Sequence, residues 1–215
     1  MIVVIQCASG KKPDAGHLRR PNGQKVMFVA DPAIAPADES YSYARPDDAS
    51  DTGESWREVL FTYNAHPGNN PLHLLPAWQL YNNKTYEMLA HHCGLDRLFI
   101  LSAGWGLVRA DFLIPAYDIT FSANGEMYKR RRSKDRYDDS NMLPKSQEAI
   151  VFFGGKDYVS LFCTLSSDAR GPRTVWYNSK EAPCAPGCLV RRFHTTMRTN
   201  WHYECAKAFI SGKLQ

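Results

Sequence analysis

Two aspartates follow a run of apolar residues in the stretch LFILSAGWGLVRADFLIPAYDITF, residues 98 to 121. Asp118 comes directly after Tyr117, where partial removal from water would raise the energy of the charged carboxylate. Such a group suits a general base, or a carboxylate that stabilises a cation. Asp111 follows Arg109, so we expect its charge to be matched, and it is the second catalytic candidate. For either aspartate, the alternative is that it caps a turn.

A small-residue turn with two lysines follows the first apolar run of the chain. Its sequence is QCASGKK, with Cys7, Ser9, Lys11 and Lys12 as the residues that can bind or react. Backbone N–H groups of such a turn, together with lysine, suit a phosphate or a carbonyl oxygen. The glycine spacing differs from that of a P-loop, and the sequence holds no nucleophile elbow, HExxH motif or dinucleotide fingerprint. Because no histidine is visible nearby, we favour a buried apolar role for Cys7 over a nucleophile.

Two basic stretches interleaved with aromatic residues indicate nucleic acid as the partner. They are YKRRRSKDRY (128–137) and VRRFHTTMRTNWHY (190–203), in a chain whose net charge is only +4. Lysine and arginine neutralise phosphates, and aromatic rings stack on bases. A solvated charged surface is the alternative. The residues we expect to contact phosphate are Lys11, Lys12, Lys129, Arg130, Arg131, Arg132, Lys156, Arg191, Arg192 and Arg198.

The composition favours one globular domain. The 215 residues are 44% apolar and 22% charged, both ordinary values, and we expect a single α/β domain over 1–215. No apolar run reaches the roughly 18 residues of a spanning helix, and MIVVIQC indicates a strand rather than a signal sequence. We therefore expect a cytoplasmic monomer with reduced cysteines, no cofactor and no membrane partner.

Five residues of metal-ligating type lie near the end of the sequence, namely Cys184, Cys188, His194, His202 and Cys205. The C-x-x-x-C spacing is loose and the remaining residues are irregularly spaced, unlike the regular pairs of structural zinc sites. We predict no metal site, and the sequence leaves open whether these five residues bind zinc.

Four apolar runs separated by helical segments predict the fold. They are residues 2–5, 97–103, 149–155 and 173–179, and continuous runs of this kind are typical of strands buried on both faces. We predict an α/β fold whose mostly parallel four-stranded sheet carries helices on both faces. Ligands bind beyond the carboxyl ends of such strands, so the turns that follow these four runs should face one crevice.

The segments between the strands carry weaker signals. Residues 13–53 are rich in proline, aspartate and glycine, and we predict a loop-rich surface insertion with at most a short strand at 25–30. Asp51 and Glu54 have the spacing of a capping box, which predicts a helix after them. The last helix is predicted from about 196 to 210.

Part of the sequence resembles a family of uncharacterised bacterial and phage proteins. That family has a first strand ending Cys-Ser-x-x-Lys, a Leu-Tyr helix and the pattern ILSAxxGLxxPxxxIxPYDxTL. The corresponding segments here are 6–12, Leu80–Tyr81 and 100–121, so the resemblance covers about half of the chain. Ala8 and Ala110 depart from the usual serine and proline.

The family is similar in pattern to uracil-DNA-glycosylase-like domains of archaeal tRNA base-modifying enzymes and to antiphage proteins that excise modified bases from phage DNA. The resemblance implies a four-stranded parallel sheet with a base pocket at its carboxyl edge. It implies pocket roles for Cys7, Ser9, Ser102, Tyr117 and Asp118. A uracil glycosylase has its water-activating aspartate after the first strand, where this chain has none in 6–12. Either the carboxylate has moved to Asp118, or the chemistry differs.

Our leading hypothesis is a DNA glycosylase that hydrolyses the N-glycosidic bond of a modified base, such as a hypermodified phage cytosine, in antiphage defence. The base would be flipped into the pocket, with Asp118 as the catalytic carboxylate and Asp111 as the runner-up. Trp105, Tyr117 and Phe121 are the expected walls. Ser9, Ser102 and Asn178 are expected to bind base edges.

Two other function classes remain open. One is a non-catalytic module that binds nucleic acid, in which Asp118→Asn would leave function intact. The other is a nucleoside hydrolase or deoxyribosyltransferase acting on small molecules, which needs no basic surface. Charge reversal at Arg130–Arg132 would impair the glycosylase and the binding module, and would spare the small-molecule enzyme.

Overall fold

The computed structural model describes residues 1–132 and 134–214, so Ser133 of the first basic stretch and Gln215 lie outside the described residues. The strands are β1 (Ile2–Gln6), β2 (Lys25–Val29), β3 (Tyr41–Ala44), β4 (Leu75–Pro76), β5 (Leu98–Ser102), β6 (Gly106–Arg109), β7 (Leu113–Ile114), β8 (Tyr117–Asp118), β9 (Ser140–Asn141), β10 (Ile150–Phe153), β11 (Arg173–Tyr177) and β12 (Leu189–Arg192). The helices are α1 (Trp56–Ala65), α2 (Ala77–Leu80), α3 (Lys84–Cys93), α4 (Lys156–Leu165) and α5 (Trp201–Ile210).

The central sheet is mostly parallel, as the sequence predicts. Its strand order is β12-β11-β10-β1-β5-β6-β9, in which β12, β11, β10, β1 and β5 are mutually parallel. The predicted count of four strands is wrong, because the sheet has seven. The mixed, solvent-exposed sequence of β12 gives no apolar run, and β6 returns antiparallel to β5 after a short turn.

Helices cover both faces of this sheet. Phe152 and Phe153 are consecutive in β10, so their side chains point to opposite faces. The Phe152 ring stacks on Phe162 of α4 at 4.6 Å between centroids, and the Phe153 ring lies 5.5 Å from Phe209 of α5. Within the described part of the chain, no helix is long and apolar enough to cross a membrane.

The predicted surface loop at 13–53 is instead folded against the core. Its strands β2 and β3 join β8 in a parallel sheet of order β3-β2-β8. Leu18, Val26 and Phe28 are fully buried, and the Phe28 ring lies 5.0 Å from that of Trp105. Alternate apolar residues in β2 were the one signal of this packing, because they place Val26 and Phe28 on the same face.

Two helices begin at different residues from those predicted. The capping box before α1 is formed by Ser55 and Glu58, not by Asp51 and Glu54: the Ser55 hydroxyl accepts the Glu58 N–H at 3.2 Å. The Glu58 carboxylate accepts the Ser55 N–H at 2.8 Å, and this bond from the Ser55 backbone lowers the pKa of Glu58. The last helix begins at Trp201, because Asn200 before it has left-handed backbone, with φ of 59°.

The segment after β1 is held by a close approach at Gly16. A Cβ atom there would lie 1.9 Å from the Leu72 carbonyl oxygen, so the backbones must move apart in Gly16→Ala. We expect this substitution to lower the free energy of unfolding by about 1–3 kcal/mol, measured by urea denaturation. Gly10→Ala is the control, since a Cβ at Gly10 meets no atom within 4 Å. Equal denaturation midpoints for the two variants would contradict this packing.

Candidate active site

The candidate site lies at the point in the sheet where the order of the parallel strands reverses. Taken in chain order, the five parallel strands have the spatial order 2-1-3-4-5, and the reversal falls between β1 and β10. Ligands in such sheets bind at this switch point, beyond the carboxyl ends of the strands. Cys7 follows β1 there, and its Sγ lies 3.2 Å from the hydroxyl of Tyr158 in α4. The Gly155 N–H after β10 donates to the Gln6 side chain at 2.6 Å, which ties the two strand ends together.

A buried group of hydroxyls forms the floor of the site. The Ser102 hydroxyl donates to the Tyr117 hydroxyl at 2.9 Å, and the Tyr117 and Tyr81 hydroxyls lie 2.9 Å apart. Ser102 also accepts the backbone N–H groups of Gly104 and Trp105, at 3.2 and 3.1 Å. The Ser102 hydroxyl therefore already makes one donated and two accepted hydrogen bonds within the protein, so it has no free donor or acceptor for the predicted hydrogen bond to a base edge.

The phenols of this floor stay neutral. Burial raises the pKa of Tyr81, Tyr117 and Tyr158 well above the ordinary value, and the nearby Cys7 thiol acts in the same direction. Burial also raises the pKa of Tyr86. The Tyr86 hydroxyl donates to the Gln6 carbonyl oxygen at 2.8 Å. Neutral hydroxyls can donate or accept hydrogen bonds, so this floor suits a polar, uncharged ligand.

Lys11 points into the site while Lys12 does not. Backbone bonds fix this segment: the Lys12 N–H donates to the Leu80 carbonyl at 2.9 Å, and the Asn82 N–H donates to the Gly10 carbonyl at 3.0 Å. The Lys11 ammonium nitrogen lies 4.2 Å from the centre of the Tyr117 ring. Lys12 is exposed on a different cleft, which Asn82 also lines.

Asp118 follows Tyr117 in β8 and forms an ion pair with Lys129. Its backbone pairs with Val29 of β2, and its carboxylate lies 2.7 Å from the ammonium of Lys129. The side chain is 41% exposed, so this carboxylate is only partly removed from water. Although burial opposes the shift, the hydrogen bonds that the Lys129 ammonium donates to Asp118 and Glu126 raise the pKa of Lys129. Lys129 is thus held by two carboxylates, which removes it from the predicted phosphate contacts.

The structure does not bring Asp111 into this site. Arg109 pairs with Phe99 near the start of β5, because β6 runs back towards the amino edge of the sheet. Asp111 follows there, with its carboxylate 2.5 Å from the guanidinium of Arg109. The turn that starts this return needs glycine, since Gly106 has φ of 79° and a Cβ would lie 2.5 Å from the Ser140 backbone.

The predicted pocket residues divide into two groups. Cys7, Tyr117 and Phe121 contact the site, with the Phe121 ring edge-on to Tyr158 at 4.9 Å. Trp105 is buried in the core and is not a wall open to a ligand, because it packs on the insertion. The two polar residues, Ser9 and Asn178, lie on loops. Ser9 is exposed, and the side-chain amide of Asn178 donates to the Met197 carbonyl oxygen at 2.8 Å.

Arg131 is a structural residue rather than a phosphate contact. Its guanidinium is buried, donates to the Ala103 carbonyl at 2.8 Å and pairs with the carboxylate of Asp139. Arg57, which the sequence does not single out, is buried in the same way and donates to Asp47 at 2.6 Å and to the Trp105 carbonyl at 3.1 Å. Both arginines hold the turn after β5, on which Tyr117 depends through Ser102.

The remaining cationic residues lie on several surfaces. Lys156 and Arg198 line a cleft of about 660 Å³ beside the ends of β10 and β11, together with Asn178. Arg132 lines a second cleft of about 410 Å³, next to Phe121. The predicted set also includes Arg191 and Arg192, exposed on β12, and Arg130, which donates to the Ala123 carbonyl at 3.2 Å.

The cysteines and histidines named as possible zinc ligands are dispersed. Among residues 1–132 and 134–214, no group of three or more histidine, cysteine or acidic residues is placed to hold a metal ion. The Cys188 sulfur contacts Cys163 of α4 at 3.8 Å. Cys205 and His202 are buried in α5, and burial lowers the pKa of His202 to about 4.

Several residues of the site escaped the sequence analysis. Tyr81 and Tyr86, Tyr158, and Tyr203 come from three separate parts of the chain and meet only in the folded protein. Beside these buried phenols lie an amine, Lys11, and a carboxylate, Asp118, and such groups can stabilise a cation and bind a polar leaving group. No family model, curated protein or solved structure matches this chain.

Proposed function

We propose that this protein is a DNA glycosylase that hydrolyses the N-glycosidic bond of a modified base. The observation that carries the proposal is the group around Tyr117, whose ring lies 4.2 Å from the Lys11 amine, whose hydroxyl contacts Tyr81, and whose neighbour in β8 is the carboxylate Asp118. Cleavage of this bond develops positive charge on the sugar, which a carboxylate stabilises while it also orients water. Asp118 has that role, and the buried hydroxyls stabilise the departing base.

The convergence of distant motifs supports the resemblance to uracil-DNA-glycosylase-like domains. The Cys-x-x-x-Lys turn, the Leu-Tyr pair and the Ser-Ala and Tyr-Asp patterns lie far apart in the sequence. In the structure Lys11, Tyr81 and Ser102 all meet at Tyr117. A shared site explains why a sequence pattern would link these segments. The proposed cellular role is defence against phages whose DNA carries hypermodified cytosine.

The surface beside the site favours a polymer over a free nucleoside. The cleft of about 660 Å³ is lined by Lys156, Lys180 and Arg198, and by the aromatic residues Tyr177 and Trp201. It adjoins the site because its Gly155 is bonded to Gln6, the residue before Cys7. Cationic and aromatic side chains beside a base pocket suit the phosphates and bases of a flanking strand.

We expect Lys156→Ala/Arg198→Ala to weaken DNA binding and to lower its salt dependence. Each phosphate contact contributes about 0.9 to the slope of log K against log salt concentration, so two lost contacts reduce the slope by about 2. The measurement is fluorescence anisotropy of a labelled duplex between 50 and 200 mM salt, the range over which such contacts are resolved. Arg97→Ala/Lys145→Ala is the control, since both residues precede strands at the opposite edge. An equal slope change in both variants would contradict the assigned surface.

The substrate class is tested by supplying the modified base in two forms. Phage DNA with normal, hydroxymethylated or glucosylated bases is compared with the corresponding free nucleosides, and released base is measured by mass spectrometry. Release from one modified DNA and not from its nucleoside supports the proposal. Release from free nucleosides alone would favour a nucleoside hydrolase or deoxyribosyltransferase. Salt-sensitive DNA binding without release would favour a non-catalytic module.

A further inference from the structure

Lys11 is placed as a reactive amine rather than as a surface cation. The backbones of its neighbours Gly10 and Lys12 are both hydrogen-bonded to the segment around Tyr81, so the position of the Lys11 Cα atom is fixed. The amine lies over the Tyr117 ring at 4.2 Å and within 3.3 Å of the Ser9 carbonyl oxygen. The amine is thus turned back onto its own loop and the Tyr117 ring, and it also donates to the Ala8 carbonyl oxygen at 3.5 Å.

The surroundings of Lys11 shift its amine towards the neutral, nucleophilic form. Burial lowers its pKa; Cys7 and Asp118 oppose this shift, and the ammonium of Lys129 adds to it. Desolvation and a neighbouring cation are the two devices by which enzymes activate lysine as a nucleophile. Asp118 and Lys129 are paired with each other at 2.7 Å, which leaves the Lys11 amine without a dedicated carboxylate partner.

We propose that Lys11 is the nucleophile of an abasic-site lyase activity, in which its amine forms an imine with C1′ of the deoxyribose. This inference rests on the proposed function in one respect, namely that the site accepts a flipped DNA sugar next to Asp118. It adds a second reaction, cleavage of the strand, to the release of the base.

The reaction needs no oxidant, reductant or cofactor. The Lys11 nitrogen attacks the C1′ aldehyde of the ring-opened abasic sugar, and proton transfer from nitrogen to oxygen gives a carbinolamine. A proton from solvent is added to the hydroxyl of the carbinolamine, which leaves as water and gives the protonated imine. The Asp118 carboxylate takes a proton from C2′, a C2′–C3′ double bond forms, and the C3′–O bond breaks as the phosphate leaves with the electron pair. Water hydrolyses the imine and restores the free amine of Lys11.

The test is reductive trapping on a duplex that contains one preformed abasic site. Sodium borohydride reduces the imine to a stable secondary amine, and the covalent protein–DNA adduct is counted on a denaturing gel. We expect an adduct with the unchanged protein and a loss of about 100-fold or more in Lys11→Arg, which keeps the charge but not the nucleophile. Lys84→Arg, at the exposed start of α3, is the matched control and should keep the full yield.

Failure of this inference is distinguishable from failure of the proposed function. Base release with no adduct on abasic DNA would overturn the lyase and leave the glycosylase intact. An adduct lost in Lys11→Arg, without release of any base, would support the lyase and overturn the glycosylase. Equal adduct yields from Lys11→Arg and the unchanged protein would assign the imine to another amine. Circular dichroism and duplex binding of Lys11→Arg confirm that the variant is folded.

Discussion

Asp118→Asn should lower the rate of base release by about 10²–10⁴-fold, the range for a group that acts on the transition state. The amide keeps the shape of the side chain but removes the charge that stabilises the sugar cation. Binding of DNA should change little, because the Lys129 ammonium still has Glu126 within 2.5 Å. The measurement is the single-turnover rate of base release from the modified DNA, with the affinity of the variant measured in parallel.

Asp111→Asn is the control for this prediction. It makes the same chemical change in the same segment of the chain, but at the amino edge of the sheet, where Asp111 pairs with Arg109. Its rate should equal that of the unchanged protein. A rate that falls in Asp111→Asn and not in Asp118→Asn would reverse the assignment and place the chemistry elsewhere.

Asp139→Asn should lower the free energy of unfolding by about 3–5 kcal/mol, the range for a buried ion pair that loses one partner. The side chains of Arg131 and Asp139 are only 6% and 8% exposed, so the arginine would stay buried without a counter-charge. The guanidinium also donates to the Ala103 carbonyl, so the turn after β5 should loosen with it. Urea denaturation followed by circular dichroism gives the free energy directly.

Two further variants compare the stability contributed by the buried Arg131–Asp139 ion pair with that of an exposed ion pair. In Asp111→Asn the broken pair is 53% and 40% exposed, and we expect a loss of at most about 1 kcal/mol. Arg131→Met/Asp139→Leu replaces both charges by apolar groups and should recover much of the stability lost in Asp139→Asn. A small loss in Asp139→Asn, comparable to that of Asp111→Asn, would show that the guanidinium is not desolvated.

The parallel strands were predictable because burial on both faces leaves a continuous apolar run in the sequence. The runs at 2–5 and 173–179 begin at the same residues as β1 and β11 and differ from them only at the carboxyl end, by one and two residues. β12 has no such run, because it is an edge strand with exposed arginines, and the strand count was therefore too low. Pattern reasoning finds the parallel strands that are buried on both faces, and it misses both an exposed edge strand and the short antiparallel strand β6.

The candidate site was predictable where side chains follow a strand directly. Cys7 and Ser102 were placed at the carboxyl edge on that ground, and the structure puts both there. Asp111 was misplaced because the glycine of the GWG turn was not recognised as the start of a hairpin. Arg131 was assigned to a phosphate contact because a run of charges does not reveal which member is paired with a distant Asp139.

The measurement that tests the central claim most directly is the ratio of bases released to alkali-labile sites formed in the same DNA. DNA from a phage with glucosylated hydroxymethylcytosine is incubated with the protein, free base is counted by mass spectrometry, and strand breaks are counted after hot alkali. A glycosylase must produce one alkali-labile site for each base released, whether or not Lys11 cleaves the strand afterwards. We expect a ratio of one, with both products lost in Asp118→Asn. Intact DNA and no free base, from a folded protein that binds the duplex, would contradict the account.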